Sequence, residues 1–143
     1  MKIGFTGTRS GMSLPQKKTF KKLIENLNFE QFSHGDCVGA DDDSAEIVFS
    51  LKGKDVIKIH PPINDKFRAF NKNFKGYAEP KDYLDRNRDI VDECDILIAC
   101  PLENVWGYKG GTWYTVNYAK KNNKTVVVIW NTGKMEVFKN ENS

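Results

Sequence analysis

Short, β-branched apolar runs alternate along this chain with longer amphipathic ones. Lys2 to Thr6, Phe29 to Ser33, Asp55 to His60, Asp95 to Cys100 and Thr125 to Trp130 are the short runs. A strand covered on both faces reads as a continuous apolar run, and a helix packed on such a sheet shows a 3.6-residue stripe. The alternation is therefore the signature of βαβ units and of a parallel sheet between helix layers. Between the first two runs, Phe20, Leu23, Ile24 and Leu27 fall on the helical period, with Ser13 placed to cap and Pro15 in the first turn. Ser44, Ile47, Val48 and Leu51 mark a second helix, with Asp41, Asp42 and Asp43 at its positive end and Gly53 at its stop. A third helix is expected from Asp82 to Cys94, and a fourth opens at Gly110 and Gly111. Pro61 and Pro62 end the third strand, and Pro101 closes the fourth.

The expected fold is a Rossmann-like three-layer α/β sandwich with a mainly parallel sheet of about five strands. One domain spans residues 1–131, and 132–143 form a polar, loosely attached tail. A length of 143 residues with 39% hydrophobic and 29% charged composition suits one core that needs no metal or disulfide. Cys37, Cys94 and Cys100 make no CxxC pair, and only His34 and His60 stand beside them, so neither a zinc site nor a disulfide framework is implied. Reduced thiols and an N-terminus that turns polar within a few residues give the expectation of a cytoplasmic protein with no membrane partner. A net charge of +3 is too small to imply nucleic-acid binding, and Lys17, Lys18, Lys21 and Lys22 read first as a solvated helix face.

In an open parallel sheet, ligands bind beyond the carboxyl ends of the strands, near the point where strand order reverses. Four loops leave strands at that edge with unusual composition. They are Gly7-Thr8-Arg9-Ser10-Gly11, the turn from His34 to Asp41, the aromatic stretch between Ile63 and Pro80, and the segment ending in Gly110-Gly111-Thr112. Glycines admit a close backbone approach, helix-opening N–H groups attract anions, and arginine supplies a bidentate fork for phosphate. The loops together suggest a phosphate-bearing ligand.

Individual residues keep two readings. Arg9 either meets a ligand or forms a surface ion pair, and so does Arg86, whose cation opposes the dipole at a helix start. Arg88 points elsewhere. Asp36 and Asp41 either take ribose hydroxyls or cap the following helix, and His34 either donates to phosphate or is a structural turn residue. Tyr83 reads as core. Trp106, Tyr108 and Trp113, like Phe67, Arg68 and Phe70, either stack on a base or pack an interface. Glu79 and Glu103 are the glutamates near the site loops, hence the fallback catalytic acids beside Arg86.

The segments GFTGTR, SHGDCVGAD, YLDRNRDIV, CDILIACP and GGTWYTVNYAKK resemble the SLOG superfamily over about residues 2–130. That group joins DNA-processing protein A with the LOG phosphoribohydrolases and includes stand-alone bacterial and phage members. The resemblance implies a Rossmann-like sheet that binds a nucleotide or nucleotide-derived signal; no cofactor is expected. It places Gly7, Thr8 and Arg9 in the first phosphate-facing loop and Gly35, Asp36, Gly39 and Asp41 in the second. It sets Arg86 and Asn87 where LOG enzymes keep a functional arginine, and Gly110, Gly111 and Thr112 in the phosphate-binding turn. It also implies a homo-oligomer, and three tryptophans are many for a small monomer.

The chain departs from that pattern at one position. LOG enzymes carry a glutamate three residues after the threonine of this turn, and the related-looking deoxyribosyltransferases use one at the same offset. Here Thr115 stands there, in a motif one residue shorter. An unassisted hydroxyl does not replace that carboxylate in acid-base or nucleophilic work. The leading expectation is thus a binding module that senses or sequesters its ligand. An N-glycosidic hydrolase or transferase comes second, and single-stranded DNA binding third.

Overall fold

The computed structural model describes residues 1–140. The elements in chain order are β1 (Lys2–Gly7), α1 (Leu14–Asn26), β2 (Gln31–His34), α2 (Ala40–Lys52), β3 (Ile57–Ile59), β4 (Gly76–Tyr77), α3 (Tyr83–Glu93), β5 (Ile96–Cys100), α4 (Gly111–Lys121), β6 (Thr125–Ile129) and β7 (Met135–Phe138). They form one sheet in the order β4-β3-β2-β1-β5-β6-β7, parallel except for β7. The sheet has seven strands rather than about five. β4 is a two-residue strand beside β3, and β7 arises from part of the segment expected as a loose tail. The third expected strand is shorter than its apolar run, because Lys54–Val56 form a single 3₁₀ turn before β3.

Two cores form because side chains alternate across each strand. On β5, Ile98 and Cys100 face one layer, with Phe5, Phe20, Ile24 and Val48, while Leu97 and Ala99 face the other, with Ile90, Val91, Trp113 and Val116. Helices α1 and α2 contact each other, as do α3 and α4. Phe5, Phe20 and Phe32 pack edge-on or tilted, with ring centroids 5.6–6.0 Å apart, and form the centre of the first core.

In the second core, Trp113 meets Trp106 at 5.3 Å and Trp130 at 5.9 Å, and Trp106 meets Phe138 of β7 at 4.9 Å. The tryptophans counted toward an interface thus pack on one another within the chain. Phe138 and the bond from Trp130 Nε1 to Glu136 (3.0 Å) tie β7 to this cluster. At the start of α1, Ser13 and Gln16 make a reciprocal capping box. The buried Gln16 amide also donates to Pro101 O (2.7 Å) and Ile129 O (2.9 Å), which joins α1 to the ends of β5 and β6.

Candidate anion-binding cleft

Strand order reverses at β1, whose neighbours are β2 and β5. The loops leaving β1 and β5 diverge there and bound a cleft of about 550 Å³. From the predicted set it is lined by Gly7, Thr8, Arg9, Asp41, Arg86, Asn87, Glu103, Gly110, Gly111 and Thr112. That volume falls in the range of small-molecule sites.

Its floor is the start of α4. Gly110, at φ +92°, makes the N-cap without a side-chain bond, and the first turn of α4 holds no acidic residue. The opening N–H groups of a helix have no intrahelical acceptor, so this end offers donors and a partial positive charge. In α2 the positive end already carries three aspartates in its first turn.

One wall is the buried face of α3. Arg86 is 3% exposed, and its guanidinium lies 4.8 Å over the Tyr83 ring. Its Nε donates to Asn87 Oδ1 (2.7 Å), its Nη1 to Gly35 O and His60 O (3.0 Å), and its Nη2 to Cys37 Sγ (3.6 Å). The arginine ion pairs among the described residues are Arg68–Asp36 and Arg88–Asp85, so Arg86 is a buried cation whose hydrogen bonds go to dipoles, with the buried Asp41 carboxylate acting on it only through space. Such burial costs several kcal/mol, which an anion arriving in the cleft would offset. Asn87 gives its oxygen to Arg86 and keeps its Nδ2 toward Gly111.

Across the cleft, Arg9 also lacks an ion pair among the described residues and lies 4.1 Å over the Phe67 ring. Phe67 is held in place because Val38 N donates to its carbonyl (2.8 Å), while Ala69 N and Asn71 N donate to the Asp36 carbonyl and carboxylate. The long aromatic loop is therefore stitched to the turn after β2. Phe70 stands outward under Arg68.

Four predicted residues stand behind the lining rather than in it. Asp36 is fully buried and paired with Arg68 Nε at 2.8 Å, so it has no oxygen free for a ribose. His34 is fully buried, and its Nδ1 accepts from Asp36 N (2.9 Å), leaving the proton on Nε2 without a partner. Burial, then the nearby Arg86 charge, lowers its pKa to about 3, so it stays neutral, and it does not line the cleft. Gly35 lies directly under the Arg86 guanidinium. Gly39, at φ +90°, packs against the backbone of Thr8 and Arg9, where a Cβ would stand 2.3 Å from Arg9 O. Glu79 is exposed and away from the lining.

Asp41 lines the cleft and accepts from Cys37 N (3.1 Å). Burial pushes its pKa up to about 6 against the opposing Arg86 charge. Burial likewise raises the Cys37 thiol, which remains protonated at neutral pH. Glu103 takes the Trp113 indole N–H at 3.0 Å. Thr115 is 1% exposed and bonds back to Gly111 O at 2.8 Å, so its hydroxyl is committed to its own helix.

Tyr83, expected in the core, instead lines the cleft, as do Cys37, Leu84, Leu102 and Lys109. The position of Lys109 directly before Gly110-Gly111 was a readable signal. Lys17, Lys18, Lys21 and Lys22 lie on α1 and do not line it. A second depression on the outer side of α3 is rimmed by Asp82, Asp85, Asp89 and Asp92 with Lys81 and Arg88, which pair with Asp89 and Asp85 and leave the lining net negative. Among the described residues no cluster suited to a metal ion occurs, and no helix is long and apolar enough to cross a membrane.

No protein-family model matches the chain, and no curated protein matches it. Two solved structures share its architecture. A molybdenum cofactor binding protein from the phototrophic bacterium Rippkaea orientalis superposes with TM-score 0.65 at 20% identity, over 90% of this chain and 76% of that one. The X-ray structure of TM1055, a structural genomics target, gives TM-score 0.63 at 16% identity, over 87% and 71%. The chain thus has a Rossmann-like α/β fold in common with a protein that binds a small-molecule cofactor.

Proposed function

We propose that this chain is a SLOG-type domain that binds a nucleotide or nucleotide-derived ligand, phosphate toward α4, as a sensor or sequestering module. The observation that carries the reading is the meeting of Arg86, buried with no ion pair among the described residues, with the uncapped start of α4 in one cleft. An anion there gains charge-assisted hydrogen bonds on both sides. Phe67 and Tyr83 supply ring faces beside the charges, as a heterocyclic base requires. The fold shared with a molybdenum cofactor binding protein favours a small ligand over a polymer. The α1 lysines lie outside the cleft and lend single-stranded DNA binding no support. Isothermal titration across nucleoside mono-, di- and triphosphates, cyclic nucleotides and ADP-ribose should give saturable binding of at least one; a blank across the series overturns the reading.

Binding without turnover is favoured because Thr115 is buried and bonded to its own helix. The second reading, an N-glycosidic hydrolase or transferase, draws on Glu103, the one glutamate among the cleft-lining residues. Chromatography after incubation with nucleoside monophosphates separates the two. Free base appearing with the wild type and vanishing with Glu103→Gln would establish the second.

A further inference from the structure

Glu103 poses a problem that the binding reading leaves open. Its carboxylate lies in a cleft whose cations, Arg9, Arg86 and Lys109, favour an anion, and a fixed negative charge works against one. The other acids nearby are accounted for. Asp36 pairs with Arg68, Asp41 takes a backbone N–H, Asp42 takes the Asn71 amide, and Asp43 takes Met12 N at 2.9 Å. Glu103 forms no ion pair among the described residues, and the one bond given for its side chain is Trp113 Nε1 to Oε1. That indole is 2% exposed and locked between Trp106 and Trp130, and Asn131 N holds the Glu103 carbonyl at 3.3 Å. The carboxylate is therefore oriented, with Oε2 left to accept.

We infer that Glu103 is a specificity residue that accepts hydrogen bonds from the vicinal hydroxyls of a ribose 5-phosphate unit, selecting ribo- over 2-deoxyribo-ligands. The inference rests on the phosphate lying at the start of α4, as proposed above. Trp113 belongs to the first turn of α4, so the carboxylate it holds lies within one side chain's reach of that phosphate. In a nucleoside 5′-phosphate the sugar is nearer the phosphate than the base is, so hydroxyls are the donors a carboxylate at this range meets. A site that hydrogen-bonds a substrate hydroxyl disfavours the analogue lacking it, because Glu103, exposed in the free protein, then gives up water under the ligand without gaining a partner.

The test is calorimetric titration of wild type and Glu103→Gln with ribose 5-phosphate and 2-deoxyribose 5-phosphate, then with a ribonucleotide and its 2′-deoxy counterpart. A hydrogen bond to a charged but solvent-exposed acceptor predicts about a tenfold preference for the ribo form in the wild type. Glu103→Gln retains an acceptor for Trp113 and should bring the two forms within about threefold, with the near-ultraviolet circular dichroism of the tryptophan cluster unchanged. Equal wild-type affinities for ribo and deoxy ligands overturn the inference without any variant, and an equal loss for both in Glu103→Gln does so as well. These results leave nucleotide binding standing, whereas no binding of any nucleotide or sugar phosphate removes both.

Discussion

Replacing Gly39 by alanine separates two costs that a glycine behind a site wall can hide. Gly39 has φ +90° and ψ −129°, and its new Cβ would sit 2.3 Å from Arg9 O, 2.5 Å from Arg9 C and 2.7 Å from Thr8 O. Gly53, at φ +81° and ψ 173°, is the natural control, because a Cβ there meets nothing within 4 Å. Backbone strain at a glycine-only conformation costs about 1–3 kcal/mol. The stiffer unfolded chain returns about 0.4–1 kcal/mol of that. Gly53→Ala should therefore cost about 1–2 kcal/mol.

Gly39→Ala carries the same strain plus about 1–3 kcal/mol of overpacking, since the atoms in the way are backbone and cannot rotate aside. The Ala40 N to Thr8 O bond (2.9 Å) further prevents the two segments from sliding apart. With a urea m-value of about 2 kcal/mol/M, the Gly39 variant should unfold about 0.5–1.5 M below the Gly53 variant. Urea melts followed by tryptophan fluorescence measure this directly. Coincident midpoints would refute the close approach of the two loops.

Arg86→Met retains most of the volume of the side chain and removes the charge, so the Kd of a phosphate ligand should rise about ten- to hundredfold by titration calorimetry; an unchanged Kd would detach Arg86 from the ligand. His34, with its pKa lowered to about 3, contributes stability above its unfolded value of 6.5 that is lost as pH falls. His34→Asn should accordingly flatten the acid side of a stability-pH curve between about 6.5 and 3. Asp41 has the opposite sign: its raised pKa stabilises the fold below 3.8, and that contribution is lost as pH rises through about 6. Asp41→Asn should remove a decline in melting temperature across that window. Thr115→Val should leave ligand affinity within about twofold by calorimetry, since the hydroxyl it removes is bonded within α4.

The sequence carried the βαβ order and the helix limits because burial on a parallel sheet forces apolar runs and stripes that survive in one dimension. Ser13, Pro15 and Gly53 mark the helix ends where expected. β4 was not legible: two residues pair with β3 because the chain passes its edge, and no pattern in Gly76-Tyr77 requires it. β7 was hidden because Met135 and Val137 face outward, so its alternation is diluted by polar neighbours. At the site, composition located the loops but not the direction of each side chain. Asp36 and Asp41 read alike in sequence, yet one pairs with Arg68 behind the wall and the other opens on the cleft. Tyr83 reads as core because an aromatic on an apolar stripe usually is, whereas here it is half-buried beside the Arg86 guanidinium and lines the cleft.

The placement of β1 between β2 and β5 also governs when the cleft can exist. Ile3 must pair with Ile96, and Gly7 with Cys100, before the two loops stand at the same rim. Contacts so distant in sequence carry a large closure entropy and form slowly. During synthesis, β1, β2 and β3 can assemble while the opposite rim is still unmade, with Thr8 N still without the Cys100 carbonyl it binds in the finished fold. The cleft therefore arrives late and all at once, as a property of the finished sheet and of no shorter fragment.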